Sequence, residues 1–134
     1  MILADSSAWI EYLRATGHGA DLAFQLVVGR EDVVVSEPIV MELLAGVRSA
    51  AHVNRISAVL AEYPLVPVGG LDTYAEAAAI YRACQRAGDT VRNMIDCLIA
   101  AVAIRVGASI LHNDRDFDVI ARHTDLRIEP VGSV

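Results

Sequence analysis

The 134-residue chain contains no lysine, and all 11 of its basic residues are arginines. That absence excludes the Walker-type phosphate loop, Schiff-base chemistry and any mechanism that depends on a side-chain amine. Cysteine is scarce as well. Cys84 and Cys97 fall in helical patterns without the paired spacing of a zinc site or redox motif, so both are expected to be reduced, buried thiols. Long apolar runs are missing: the longest, Cys97 to Ile104, is far short of the roughly 18 residues that a bilayer span requires. Met1 leads straight into strand-like Ile2-Leu3-Ala4, with no basic segment, apolar stretch and cleavage site in order. No secretory signal is expected, and the location is expected to be cytoplasmic. The four histidines, His18, His52, His112 and His123, stand apart from one another without metal spacing, and each reads as a structural or surface residue.

What is present has the size of one domain, residues 1–134, with length enough for a real core. The composition is 54% hydrophobic and 21% charged, apolar enough to suggest that a partner covers some of the surface, through a homodimer, a heteromeric complex or both. A net charge of −6 normally disfavours nucleic acid. Two bound divalent cations would offset 4 of those 6 negative charges and leave about −2.

Local patterns alternate between strand and helix. Ile2 to Ala4 reads as a strand closed by Asp5-Ser6-Ser7, good caps for a helix starting near Ala8. A second helix follows from Ala20 to Val28, then the β-branched strand Val33-Val34-Val35. Pro38 suits the first turn of a third helix, striped by Ile39, Val40, Leu43, Leu44 and Val47, with Glu42 on the border of the stripe and Gly46 opening space one turn on. A polar helix from Ala50 to about Glu62 precedes a short strand, Leu65-Val66-Pro67-Val68, whose proline favours a sheet edge. Leu71 to Arg86 is a long alanine-rich helix. Thr90 or Asn93 caps the next one, which runs to Arg105, closes at Gly107 and is apolar on every side, as a central buried helix would be. Ser109 to His112 forms a strand, Phe117 to Arg122 a short helix and Leu126 to Ile128 a last strand. The alternation predicts an α/β fold with a mainly parallel sheet and helices on both faces.

Within that plan Asp5, Glu42, Asp96 and Asp114 each fall where a strand ends or a helix begins, positions that converge on one sheet edge. Gathered carboxylates repel, and a hard divalent cation, magnesium or manganese rather than zinc, is the chemical reason to collect them. Asp96 carries the most weight, because a carboxylate in the first turn of a buried apolar helix must be paired or metal-bound. Its alternative is a capping aspartate favoured by the helix dipole. Asp5 equally suits the cap of the first helix, and Glu42 alone would be a solvated glutamate. Asp116 is expected either to share the site or to cap the final helix, and Asp118 to be solvated. Trp9 and Tyr12 could offer a stacking face, but core packing is the better reading for a lone tryptophan near a helix start.

Taken together, Asp5-Ser6-Ser7-Ala8-Trp9-Ile10, Glu42-Leu43-Leu44-Ala45-Gly46, Asp96-Cys97-Leu98-Ile99-Ala100-Ala101 and Asn113-Asp114-Arg115-Asp116-Phe117 resemble the PIN-domain ribonucleases, and among them the VapC toxins of bacterial toxin–antitoxin pairs. The likeness spans essentially the whole chain, with the four motifs in order. It implies a Mg2+- or Mn2+-dependent endoribonuclease with Asp5, Glu42, Asp96 and Asp114 as the acidic quartet and Asp116 as an accessory ligand. Ser6 or Ser7 matches the small hydroxyl residue after the first aspartate, and Asn113 the polar residue before the fourth. His112 stands where such toxins often carry threonine, a departure in the surroundings of the site. Such a cage would lower the pKa of a bound water, aim it at a phosphodiester phosphorus and stabilise the leaving oxygen. Arg92 and Arg115 could steer RNA phosphates towards it. The resemblance also implies a cognate VapB-type antitoxin that inserts a basic side chain into the acidic pocket.

Two other classes compete. A signalling receiver domain also gathers aspartates and magnesium at strand ends, but it needs a second acid beside Asp5, where Ser6 stands, and a late lysine. A non-catalytic module could use the same acids to hold a structural cation or to receive a partner's arginines.

Overall fold

The computed structural model describes residues 1–15, 17, 19–28 and 32–130; the expectation for His18 falls outside them. β1 (Ile2–Ala4) is wholly buried and ends at Asp5, which caps α1 (Ser6–Leu13) by accepting the Ser7 N–H. α2 (Gly19–Val27) and β2 (Val33–Val34) follow. α3 (Glu37–Ala45) carries Pro38 in its first turn, where a missing N–H costs nothing. α4 (Ala50–Leu60), capped by Ser49, and α5 (Leu71–Arg86) complete the long connection. Asn93 caps α6 (Met94–Val106), which closes on Gly107 in the left-handed conformation, φ 71°. β3 (Ser109–Leu111), α7 (Arg115–His123) and β4 (Arg127–Ile128) end the described chain.

The four strands form an all-parallel sheet in the order β2-β1-β3-β4. Leu3 lies between Val34 on one side and Ile110 on the other, so β1 is the central rail and the chain departs from it in opposite directions. Crossovers from a parallel strand are right-handed, so that reversal puts helices on both faces and leaves a crevice beyond the ends of β1 and β3. α1 packs on α2 and α3, and α5 packs on α6 and α7. α6 is the buried helix its pattern predicts, with Ile99, Ala100, Val102 and Ala103 fully enclosed.

Leu65 to Val68 does not form the predicted strand. Val35 and Leu65 make one isolated parallel bridge, with the Val66 N–H on the Val35 carbonyl at 2.7 Å. Pro67 has no N–H to extend a ladder, and the Val68 N–H is taken by Glu37 Oε1 at 2.8 Å. α7 starts two residues earlier than its apolar pattern suggests because Asp114 caps it, accepting the Asp116 N–H.

Trp9 is fully buried, its ring edge-on to Phe24 at 4.7 Å and Tyr63 at 5.0 Å, while Tyr12 stacks on Phe24 at 4.2 Å. These rings hold α1 and α2 on the core, and the buried Trp9 offers no stacking face. Cys84 and Cys97 are free and buried. Burial pushes the Cys97 thiol up to about 12 and raises Cys84 as well, so neither is a ready nucleophile.

Candidate active site

The crevice beyond β1 and β3 is lined by acids. Asp5 leaves the end of β1 at 2% exposure. Its backbone N–H bonds the Leu111 carbonyl at 2.9 Å, tying the ends of the two central strands together. Its Oδ2 accepts both the Ser7 hydroxyl at 2.7 Å and the Ser7 N–H at 3.1 Å. The Ser7 oxygen accepts the Asn113 N–H at 2.8 Å, so one hydroxyl fixes the first acid and the loop that carries the fourth. Asp5 Oδ1 is buried and has no hydrogen-bond partner.

Asp96 stands in the first turn of α6, 2% exposed, and its Oδ2 is likewise buried without a partner. One carboxylate oxygen each from Asp96, Asp114 and Asp116 fall within 4.8 Å of one another. Asp116, 1% exposed, accepts the N–H groups of Arg92 at 3.1 Å and Asn93 at 3.0 Å on its Oδ2. Asp114 therefore caps α7, while Asp116 faces inward and anchors the turn that precedes α6. Glu42, on α3, is half-buried and accepts the Ser6 hydroxyl at 3.3 Å. It lies on the Asp5 side of the crevice, outside the close group of three.

Electrostatics follow from this crowding. Burial, then the charges of Asp5 and Asp114, raise Asp96 from the ordinary carboxylate range to about 9. Burial raises Asp5 against the opposing hydrogen bonds of Ser7. Burial and then the Asp5 charge raise Glu42. Burial works against the charge of Asp116 too, but the Arg92 and Asn93 amides and the bonds from Asp96 and Arg92 outweigh it and hold that carboxyl low. An all-oxygen donor set with two buried, unpartnered oxygens fits a hard divalent cation, with Asp96, Asp114 and Asp116 nearest to one another.

The remaining candidates divide. The Arg92 side chain is 63% exposed and reaches Asp114 Oδ1 at 3.5 Å and Asp116 Oδ1 at 3.4 Å. Arg115 points to solvent. Asn113 serves through its backbone, since its side chain turns away to Glu11 at 3.1 Å. Asp118 is exposed yet not simply solvated, because its Oδ1 meets His112 Nε2 at 3.2 Å. His112 is buried, and its Nδ1 accepts the Asp114 N–H at 3.0 Å, which fixes the tautomer and braces the fourth acid. His123 bonds Asp89 at 2.9 Å, well away from these acids in sequence, and His52 is exposed. The amides of Arg92 and Asn93 escaped the sequence reading, because main-chain donors leave no trace in side-chain patterns.

The chain's parallel 2-1-3-4 sheet carries these acids at its central switch point, the family model of the PIN domain matches residues 2–123, and the chain belongs to that family. Within it, the chain is 46% identical over 129 residues to Ribonuclease VapC11 of Mycobacterium tuberculosis and, equally, to VapC ribonuclease Mb1587 of Mycobacterium bovis, covering 95% of this chain and 96% of each relative. The fold is similar to that in the crystal structure of VapBC2 from Rickettsia felis bound to a DNA fragment from their promoter, with a TM-score of 0.75 at 16% identity over 96% of this chain and 98% of that one.

Proposed function

We propose that this chain, acting as one domain over residues 1–134, is a VapC-type endoribonuclease toxin that hydrolyses RNA phosphodiester bonds with Mg2+ or Mn2+ and is held inactive by a cognate VapB-type antitoxin. The observation that carries the reading is the group Asp96, Asp114 and Asp116, three carboxylates converging around unpartnered oxygen in a chain nearly half identical to named ribonucleases. Asp5, Asp96 and Asp114, with Asp116, are the residues that would hold the cation, and Glu42 completes the acidic wall. A divalent cation held there would lower the pKa of a bound water and stabilise negative charge on a phosphoryl oxygen.

The chain's own groups do the rest. Ser7 and the Asn113 amide keep Asp5 and the β3 loop in register, Ser6 orients Glu42, and His112 holds the Asp114 backbone. Arg92 and Arg115 flank the acids and supply positive charge for a phosphate backbone. The lysine-free chain provides no amine nucleophile, in keeping with attack by water.

Large apolar side chains at the surface, including Met41, Leu71, Tyr74 and Met94, support a homodimer in addition to the antitoxin. Among the described residues no helix is long and apolar enough to cross a membrane; a cytoplasmic site of action is part of the proposal. Membership of the PIN family sets the receiver reading aside. The non-catalytic reading is tested by incubating the purified protein with RNA in Mg2+ and in EDTA. Internal cuts that need the cation support the nuclease; intact RNA from active-site-competent protein under both conditions leaves only a binding module.

A further inference from the structure

Arg92 bears on the acids in two separable ways. Its backbone N–H and that of Asn93 bond Asp116 Oδ2, whereas its guanidinium reaches the other oxygen, Oδ1, and extends to Asp114 Oδ1. The turn before α6 is thus anchored by main chain, and the side chain is free to leave without unhooking it. Distances of 3.4 and 3.5 Å, the shorter a long hydrogen bond from Nε to the buried Asp116, on an arginine side chain 63% exposed, describe a loose pair whose cationic half faces solvent. Among the described residues no other arginine pairs with these acids. A guanidinium on Asp114 and Asp116 also stands where cation charge would accumulate, and like charges on shared carboxylates exclude each other.

We propose that Arg92 is a built-in counter-ion of the metal-free site, which rests on Asp114 and Asp116 until a divalent cation displaces it towards solvent, freeing it to meet an RNA phosphate. The inference rests on the reading that Asp96, Asp114 and Asp116 hold the cation. It makes Arg92 a positioning residue whose two placements couple cation loading to substrate capture, and such coupling is reciprocal.

The test is Mn2+ titration by calorimetry of the wild-type protein, R92Q and R115Q, alongside an NMR titration with Mg2+ that follows the arginine Nε–H signals. R92Q keeps both backbone amides on Asp116, and R115Q reports the general effect of losing one nearby positive charge. R92Q is expected to bind Mn2+ about threefold to tenfold more tightly than wild type, and more tightly than R115Q, as removal of a directly competing charge requires. The Arg92 Nε–H signal is expected to move with Mg2+ while the metal-free melting temperature of R92Q stays near that of wild type. Equal Mn2+ affinity in R92Q and R115Q, an unmoved Arg92 signal at saturation, or a sharp loss of melting temperature in R92Q would overturn the counter-ion role, the last by making Arg92 a structural brace. Absence of Mn2+ binding in both wild type and R92Q would remove the cation reading itself, a distinguishable failure.

Discussion

At the scale of single residues the chemistry turns on Asp96, a carboxyl raised to about 9 by burial and by Asp5 and Asp114. Asp96→Asn keeps its shape and offers an N–H to Asp116 in place of the shared proton. Near pH 5 metal-free stability should therefore change by no more than about 1 kcal/mol in a thermal melt, with the variant gaining on wild type as pH rises, while cation-dependent RNA cleavage is lost; wild-type turnover would take Asp96 out of the mechanism. The same carboxyl sets a pH dependence. Between the ordinary carboxylate range and about 9 the folded chain keeps a proton that the unfolded chain has released, so each rise in pH weakens the metal-free fold. Asp5 and Glu42, also raised, add to that trend. Asp116, lowered, works the other way, and its contribution is lost only as pH falls below the ordinary carboxylate range. Melts in EDTA from pH 5 to pH 9 should show a falling midpoint for wild type and a shallower fall for Asp96→Asn.

At the scale of elements, the site exists because three of them end or begin at one place, β1 at Asp5, α6 at Asp96 and the β3–α7 turn at Asp114, while Glu42 reaches it from the interior of α3 rather than from an element end. Strand ends and cap residues are visible in a sequence through their side-chain oxygens, which is why these acids could be picked out. Their mutual bracing could not. Ser7 joins Asp5 to the Asn113 amide across more than a hundred residues, and only the parallel pairing of β1 with β3 brings those groups together. Ser7→Ala removes one donor from Asp5 and one acceptor from Asn113. It should cost about 1 kcal/mol in stability and weaken Mn2+ binding by calorimetry, whereas an effect on neither would leave the clamp without function. The misread strand at Leu65 to Val68 has a similar origin, since its β-branched pattern was real but Pro67 and Glu37 consume the groups that a ladder would need.

At the scale of the whole molecule, binding of a cation only to the folded form must raise stability by mass action, by about 2.7 kcal/mol at a hundredfold excess over the dissociation constant. Mg2+ or Mn2+ should raise the melting temperature of wild type in a concentration-dependent manner and leave Asp96→Asn unmoved. A flat response in wild type would mean that the acids take no divalent cation. The apolar composition pointed to partners, and Met41, Leu71, Tyr74 and Met94 are exposed apolar side chains.

Periodicity, capping residues and the placement of acids were enough to establish the α/β plan, the buried α6 and the candidate acids, because each is a local property written in a few neighbouring side chains. Which oxygens remain unpartnered, which acid caps and which faces inward, and where Arg92 rests were decided by packing. Asp114 and Asp116 look alike in the chain, and one is at the rim while the other is 1% exposed, held by two amides from a turn more than twenty residues away. Local pattern reports what a residue can do; desolvation and long-range hydrogen bonding, which depend on everything folded around it, settle what it does.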